Sequence, residues 1–487
     1  MPSQLLSRWL FLRLLGLVYL AAFVSLWVQI DGLVGSRGIL PAQDLFARAA
    51  TALGRERYWL LPTLYWLSPS DAMLHALCAA GTVLALLLVV GIAPVLCLAG
   101  LWLAYLSLEV VGQDFLSFQW DILLVETGFL AIFVAPLDVW PRLRREAPPR
   151  QAIVWMLRWL LFRLMFSSGA VKLLSGDPTW RDLTALEYHY WTQPLPTWIG
   201  WYANLLPPWA QKVSCASMFA IELGVPLLIW GGARQRLVAF VALTSLQLLI
   251  FVTGNYCFFN VLTVALCVML LDDSVWPARA LRLLENASPV RAAAWPRWVT
   301  TPVAALLLLL GVLQMFSPSR VGLDWPAPLR FLERAAAPLR LVNGYGLFAV
   351  MTTTRPEIVV EGSDDGETWR EYEFRWKAGD LSRSPEFVEP HQPRLDWQMW
   401  FAALGGYDQN PWFVAFMQRL LQGSPEVTAL LRRSPFPDHP PRYVRAVRYL
   451  YRFTDLAERR ATGHWWKREP QSLYLPAVSL ESFRTSP

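Results

Sequence analysis

The sequence predicts a multi-pass α-helical membrane protein with a C-terminal soluble α+β domain that contains a small antiparallel sheet. Three observations carry this. The chain is 55% hydrophobic and only 16% charged, whereas soluble domains average about 25% charged residues. Nine apolar runs fall within the first 316 residues, and the 26 Trp suit a chain with many membrane interfaces. From Ser317 onward the runs stop, and charge and proline rise.

The first run, 9–30, is long enough to span and lacks a small-residue cleavage site, so it reads as a first helix and signal anchor. Runs 72–90 and 92–111 form a tight pair turned between Gly91 and Pro94. Then come 120–136, 151–174, 213–230, 236–253, 258–271 and 300–316. Run 258–271 falls below the length of about 17 residues that a spanning helix needs. Segment 58–67 is too short to span and is expected as an interfacial or re-entrant segment, anchored by Trp59 and Trp66.

Nine spans alternate the loops between two sides. One side carries Arg8, Arg142, Arg144, Arg145, Arg150, Arg234, Arg236, Arg279, Arg282, Arg291 and Arg297. The other carries Arg37, Arg48, Arg55, Arg57, Arg181 and Lys212. Positive-inside bias puts the first side in the cytoplasm and the C-terminal domain outside, in periplasm or lumen. A net charge of +6, spread over loops and the C-terminal third, suits membrane topology better than nucleic-acid binding.

The chain is expected to divide into a helical membrane domain (1–316), an extracytoplasmic α+β domain (317–454) and a mostly irregular tail (455–487). Residues 357–376 read as a β-hairpin around Asp-Asp-Gly, with Tyr372, Phe374 and Trp376 on one face. Residues 442–453 repeat the alternation, with Val447, Tyr449, Tyr451 and Phe453 on one face. Between them 411–422 and 425–433 read as short helices, each started by a proline.

No GxSxG, P-loop, HExxH or GxGxxG motif occurs, and the five His are scattered without metal-ligand spacing. The five Cys sit in or beside apolar runs without a CxxC, so neither a disulfide framework nor a metal site is expected. No cofactor is implied. Charges inside the runs are the better lead: Asp121 and Glu126 in the fourth, Arg158, Arg163 and Lys172 in the fifth, and Glu222 in the sixth. Such residues are costly in lipid, so they face one another or a wet cavity. Two readings stand: a polar functional cavity, in which a desolvated Lys172 acts as a base, or salt bridges that fix helix packing. Residues 391–413 form the second lead, with Trp397, Trp400, Tyr407 and Trp412 among few charges. Exposed, they would bind a partner; packed, they would form a core or a seat on the membrane.

Six stretches resemble the lipase maturation factor family: GSRGILPA (35–42), QWDILLVETGFLAIFVAP (119–136), 161–196, GNYCFFNVLT (254–263), 343–369 and 390–413. The resemblance implies a multi-pass protein of the endoplasmic reticulum membrane, or of the inner membrane in a bacterium. It implies a chaperone-like maturation factor, not a catalyst, whose lumenal domain helps secreted lipases fold and assemble. Its partners would be exported clients and membrane lipid, with no nucleic acid. GAVKLLSGDPTW followed by EYHYW (169–191) also resembles vitamin K-dependent γ-glutamyl carboxylase. That likeness would make Lys172 a proton-handling lysine with Trp180 and His189 as neighbours, and the protein an integral-membrane enzyme.

Overall fold

The computed structural model describes residues 4–282, 293–316 and 325–483. Arg291 and Ser317, the first residue past the expected membrane domain, lie outside the described residues. Each apolar run forms a helix: α1 (Leu5–Trp27), α2 (Asp71–Val90), α3 (Pro94–Val111), α4 (Gln119–Val134), α5 (Gln151–Leu174), α6 (Pro208–Trp230), α7 (Ala233–Thr253), α8 (Phe259–Val268) and α9 (Arg297–Met315). Seven are long and apolar enough to cross a membrane; α4 and α8 are shorter. The ten residues of α8 rise only about 15 Å. Non-helical backbone flanks it, and such backbone persists at membrane depth only under protein cover. Residues 254–260 and 269–271 are all buried.

Local chemistry sets the breaks. The Ser70 side chain caps α2 by accepting the Met73 N–H. Gly91 ends it at a φ of 95°, where a Cβ would meet the Arg13 guanidinium at 2.1 Å. Pro94 opens α3 at a first-turn position. In α6 the α-helical ladder gives way to a π turn over Ala220–Gly224 and then a 3-10 turn through Pro226. Single π turns inside helices often mark functional positions.

Successive helices reverse direction, which gives the bundle two ends. At one end, Asp273 accepts the Leu5 and Leu6 N–H groups at 3.1 Å each, and Arg8 pairs with Glu146 at 2.5 Å. Arg150 reaches the Trp295 carbonyl there. At the other end, Ser25 and Gln29 of the α1 exit bond Gln392 and Arg394, and Asn255, just past α7, bonds the backbone of 386–389. The C-terminal domain therefore sits on one end, and the arginine-rich 137–150 and 272–282 loops lie at the opposite one.

That domain holds a four-stranded antiparallel sheet in the order β2-β1-β3-β4, formed by β1 (Arg355–Ser363), β2 (Arg370–Glu371), β3 (Tyr443–Phe453) and β4 (Trp466–Val478). The register pairs Val359 with Val447 and Glu361 with Arg445. Helices α10 (Arg394–Ala403) and α11 (Pro411–Leu421) pack with it. The expected hairpin forms, with Asp365 accepting the Glu367 and Thr368 N–H groups in its turn. Its second strand ends after two residues: Glu373 turns to bridge Arg433, and farther on the buried Asp396 carboxylate takes the Trp376 and Lys377 N–H groups at 2.8 and 2.9 Å. The helix expected over 425–433 stops at Thr428, and Arg432 and Arg433 turn to donate to the Glu373 carbonyl.

Two expectations are corrected. The tail is ordered: Asp455 and Glu458 form a capping box on helix Leu456–Thr462, and β4 follows. Pro470 and Pro476 hid that strand, and they are tolerated because β4 is an edge. Nor does β3 bury a single face. Val444 and Ala446 join the core at one end, whereas Tyr451 and Phe453 bury the opposite face against Trp191, Trp201 and Trp466 at the other.

Candidate functional site

Most of the charges found in the apolar runs separate into pairs. Glu126 on α4 meets Arg163 on α5, and it also accepts from Tyr345 at 2.8 Å and from the Asn343 backbone at 2.9 Å. Lys172 on α5 donates to both oxygens of Glu222, at 2.9 and 2.7 Å. The π turn of α6 carries that carboxylate. Arg158 donates to the Met269 carbonyl at 3.3 Å. Among the described residues Asp121 pairs with no base of the bundle. Arg394, the first residue of α10, enters from the outer domain and binds it through both oxygens at 2.6 and 2.8 Å. Tyr105 donates to the same carboxylate, and Phe115 offers its carbonyl to Arg394.

A second clamp lies beside this one. Arg355 of β1 is fully buried and donates to the carbonyls of Trp191, Gln193 and Pro194, while Glu357 faces it at 2.7 Å. Lys377 supplies the other partner of Glu357 at 2.8 Å. The 175–194 segment is thus gripped from the outer domain. Asp177 starts the grip by accepting the Thr179 and Met351 N–H groups, and these bonds hold its carboxyl below the usual range although burial opposes them.

The aromatic candidates fall on this seam. Trp397 packs edge-on to Trp120 at 4.8 Å, and Trp412 approaches Phe115 at 5.8 Å. Trp400 donates its indole N–H to the Thr192 carbonyl at 2.8 Å. All three are buried, while Tyr407 keeps 39% of its surface exposed, beside Phe401 and Leu404 at 42% and 43%.

Between α5, α6 and α7 lies a cavity of about 330 Å³. Its walls are mainly apolar, and Lys172, Glu222, His189 and Tyr190 gather in its lining. His189 faces the Tyr256 hydroxyl at 3.2 Å, and Tyr256 donates to Gln193 at 2.7 Å. Burial, with Lys172 nearby, pushes the His189 imidazole down to about 4, so it is neutral at pH 7. The cavity thus combines an internally neutral ion pair, a neutral imidazole and a phenol. A base at Lys172 would first have to leave Glu222. Among the described residues no group of three His, Cys, Asp or Glu side chains could hold a metal ion, and all five cysteines are free and buried.

Comparison with known proteins fits this two-part build. The transmembrane domain model of the lipase maturation factors matches residues 6–278, and their C-terminal domain model matches 341–476. Lipase maturation factor 2 of Homo sapiens is 40% identical, with 99% of this chain and 84% of the relative aligned. The Gallus gallus protein of that name is 38% identical over 97% of this chain and 81% of its own length. Lipase maturation factor 1 of Bos taurus is 34% identical over 98% and 90%.

The chain belongs to the lipase maturation factor family.

No solved structure matches it. Several of the stretches that carry the likeness to lipase maturation factors are those just described. Residues 119–136 supply Asp121 and Glu126, 161–196 supply Lys172 and the gripped segment, and 390–413 supply Arg394 and the seam tryptophans. Sequence reasoning missed Arg394, Arg355, Asn343 and Tyr345 as partners. The available signal was a lone basic residue set among aromatics, as in PHQPRLDW.

Proposed function

We propose that this membrane protein assists the folding and assembly of exported lipases from the non-cytoplasmic side of its membrane. The observation that carries this is family membership over nearly the whole chain, with relatives named for lipase maturation. Sidedness is supported by the arginines at the end of the bundle opposite the sheet domain, an arrangement that favours a cytoplasmic location for that end. In a eukaryotic cell the membrane would be the endoplasmic reticulum, and in a bacterium the inner membrane. Catalysis is not required for the role.

Because Trp397, Trp400 and Trp412 are buried, the client contact is proposed on the neighbouring exposed patch of Phe401, Leu404 and Tyr407. The experiment is co-expression with a secreted lipase in cells lacking their own maturation factor. Secreted activity per unit of lipase mass should rise, and Phe401→Ser with Tyr407→Ser should abolish the rise without loss of the membrane protein. Unchanged lipase activity beside a correctly inserted chain would refute the reading.

A further inference from the structure

The cavity beside Lys172 has a way in from the side. Helix α7 packs on the later half of α6, around the π and 3-10 turns, while the earlier half of α6 stands away from it. The lining at that gap includes Leu206, Ser214 and Leu249, which are exposed, Leu249 at 62%. These helices also present Val213, Val241 and Leu248 outward, as lipid-facing helices do. The mouth therefore opens on the apolar outer face of α6 and α7, the face these helices turn to the hydrocarbon of the bilayer.

The lining limits what can enter. A volume of about 330 Å³ is near the lower bound of the roughly 300–1,000 Å³ typical of small-molecule sites, which suits one apolar chain and not two. Among the described lining residues the only formal charges, Lys172 and Glu222, neutralise each other. A charged head group would lose its hydration there without gaining a counter-charge. The half-buried Tyr190 also lines the cavity, and the buried Nδ1 of His189, in the same lining, has no hydrogen-bond partner among the described residues. In the wall, the buried Asn260 carbonyl oxygen also lacks a partner. Buried polar groups of this kind are usually satisfied by water or a ligand.

We propose that the cavity binds an uncharged single-chain membrane lipid of the monoacylglycerol type, entering between α6 and α7. Its acyl chain lies against Met218, Leu246 and Ile250, and its hydroxyl-bearing head meets Tyr190 and the Lys172–Glu222 pair. This site is independent of the client-contact patch on the outer domain, so the two readings stand or fall separately.

The test uses the full-length protein in phosphatidylcholine vesicles containing a photoactivatable monoacylglycerol with a diazirine in its chain. Mass spectrometry of the crosslinked peptides should place label within 206–218 and 246–253, and excess unlabelled monoacylglycerol should remove it. Met218→Trp and Ile250→Trp, which fill the cavity from two helices, should each reduce labelling about tenfold, equivalent to about 1.4 kcal/mol of binding. Leu308→Trp, on an exposed face of α9, should leave it unchanged. Label spread evenly over lipid-facing helices, or insensitive to both fillings, overturns the site. Equal labelling by an anionic lysophosphatidic acid probe overturns the assignment of an uncharged head.

Discussion

Asp121–Arg394 and Lys172–Glu222 are both buried carboxylate–base pairs, yet their surroundings differ. The first is enclosed by Tyr105, the Phe115 carbonyl and the α1 exit, and it joins two parts of the chain 273 residues apart. The second joins two helices of the bundle and lines open space. A charge pair sealed in by packed protein acts as a fastener. One that borders a cavity can still accept a ligand. The contrast teaches that intramembrane charge signals burial, and that only the neighbours decide between structure and binding.

The largest effect should follow from breaking the fastener. Arg394→Met leaves Asp121 buried without a counter-charge and should cost about 3–5 kcal/mol, read as thermal unfolding in detergent. Replacing both, as Asp121→Leu with Arg394→Met, should recover most of that loss, because an apolar pair needs no desolvation. A single variant as stable as the parent would remove the distinction between the two pairs. Arg355→Met should come next. It leaves three carbonyls without a donor, and because water and backbone relaxation relieve much of the roughly 1–3 kcal/mol each could cost, the net loss should stay below that of Arg394→Met, with faster proteolysis of the outer domain reporting it.

Lys172→Met should cost less, about 1–3 kcal/mol, because Glu222 then borders space where water or a proton can relieve it. If it costs as much as Arg394→Met, the cavity does not soften the pair. The smallest effect at acidic pH is expected from Glu389→Gln. Burial pushes the Glu389 carboxyl up to about 9 from an ordinary 4.5. It accepts the Tyr256 N–H, and its other oxygen has no partner among the described residues. A raised folded-state value means that the native chain holds this proton more tightly. Stability is therefore full below about 4.5 and falls as pH rises toward about 9. The Gln variant should match the parent near pH 4.5 and fall less between there and pH 9, as read by unfolding temperature across that window.

Hydropathy made the helices legible, because lipid demands long apolar runs. Short α8 is the exception, since protein cover replaces helix length there. The charges were legible as residues but not as pairs. Glu126 and Arg163 lie on adjacent helices, whereas Asp121 finds its base in a stretch that stood out for its tryptophans. Those tryptophans were visible as an apolar group, but composition does not say which surface they cover. Strand β4 was obscured by Pro470 and Pro476, whose tolerance depends on an edge position that only the assembled sheet defines.

The reach of Arg394 has a consequence for how the chain is made. Asp121 enters the membrane early, and its partner is synthesised 273 residues later. At about 5–20 residues per second that is a wait of roughly 14–55 seconds. Glu126 waits similarly for Asn343 and Tyr345. During that interval the nascent bundle holds acids that lack their final partners, so this member of the lipase maturation factor family is itself incomplete until its last third is translated. Ribosome release before Arg394 should leave a membrane half that quality control recognises and removes.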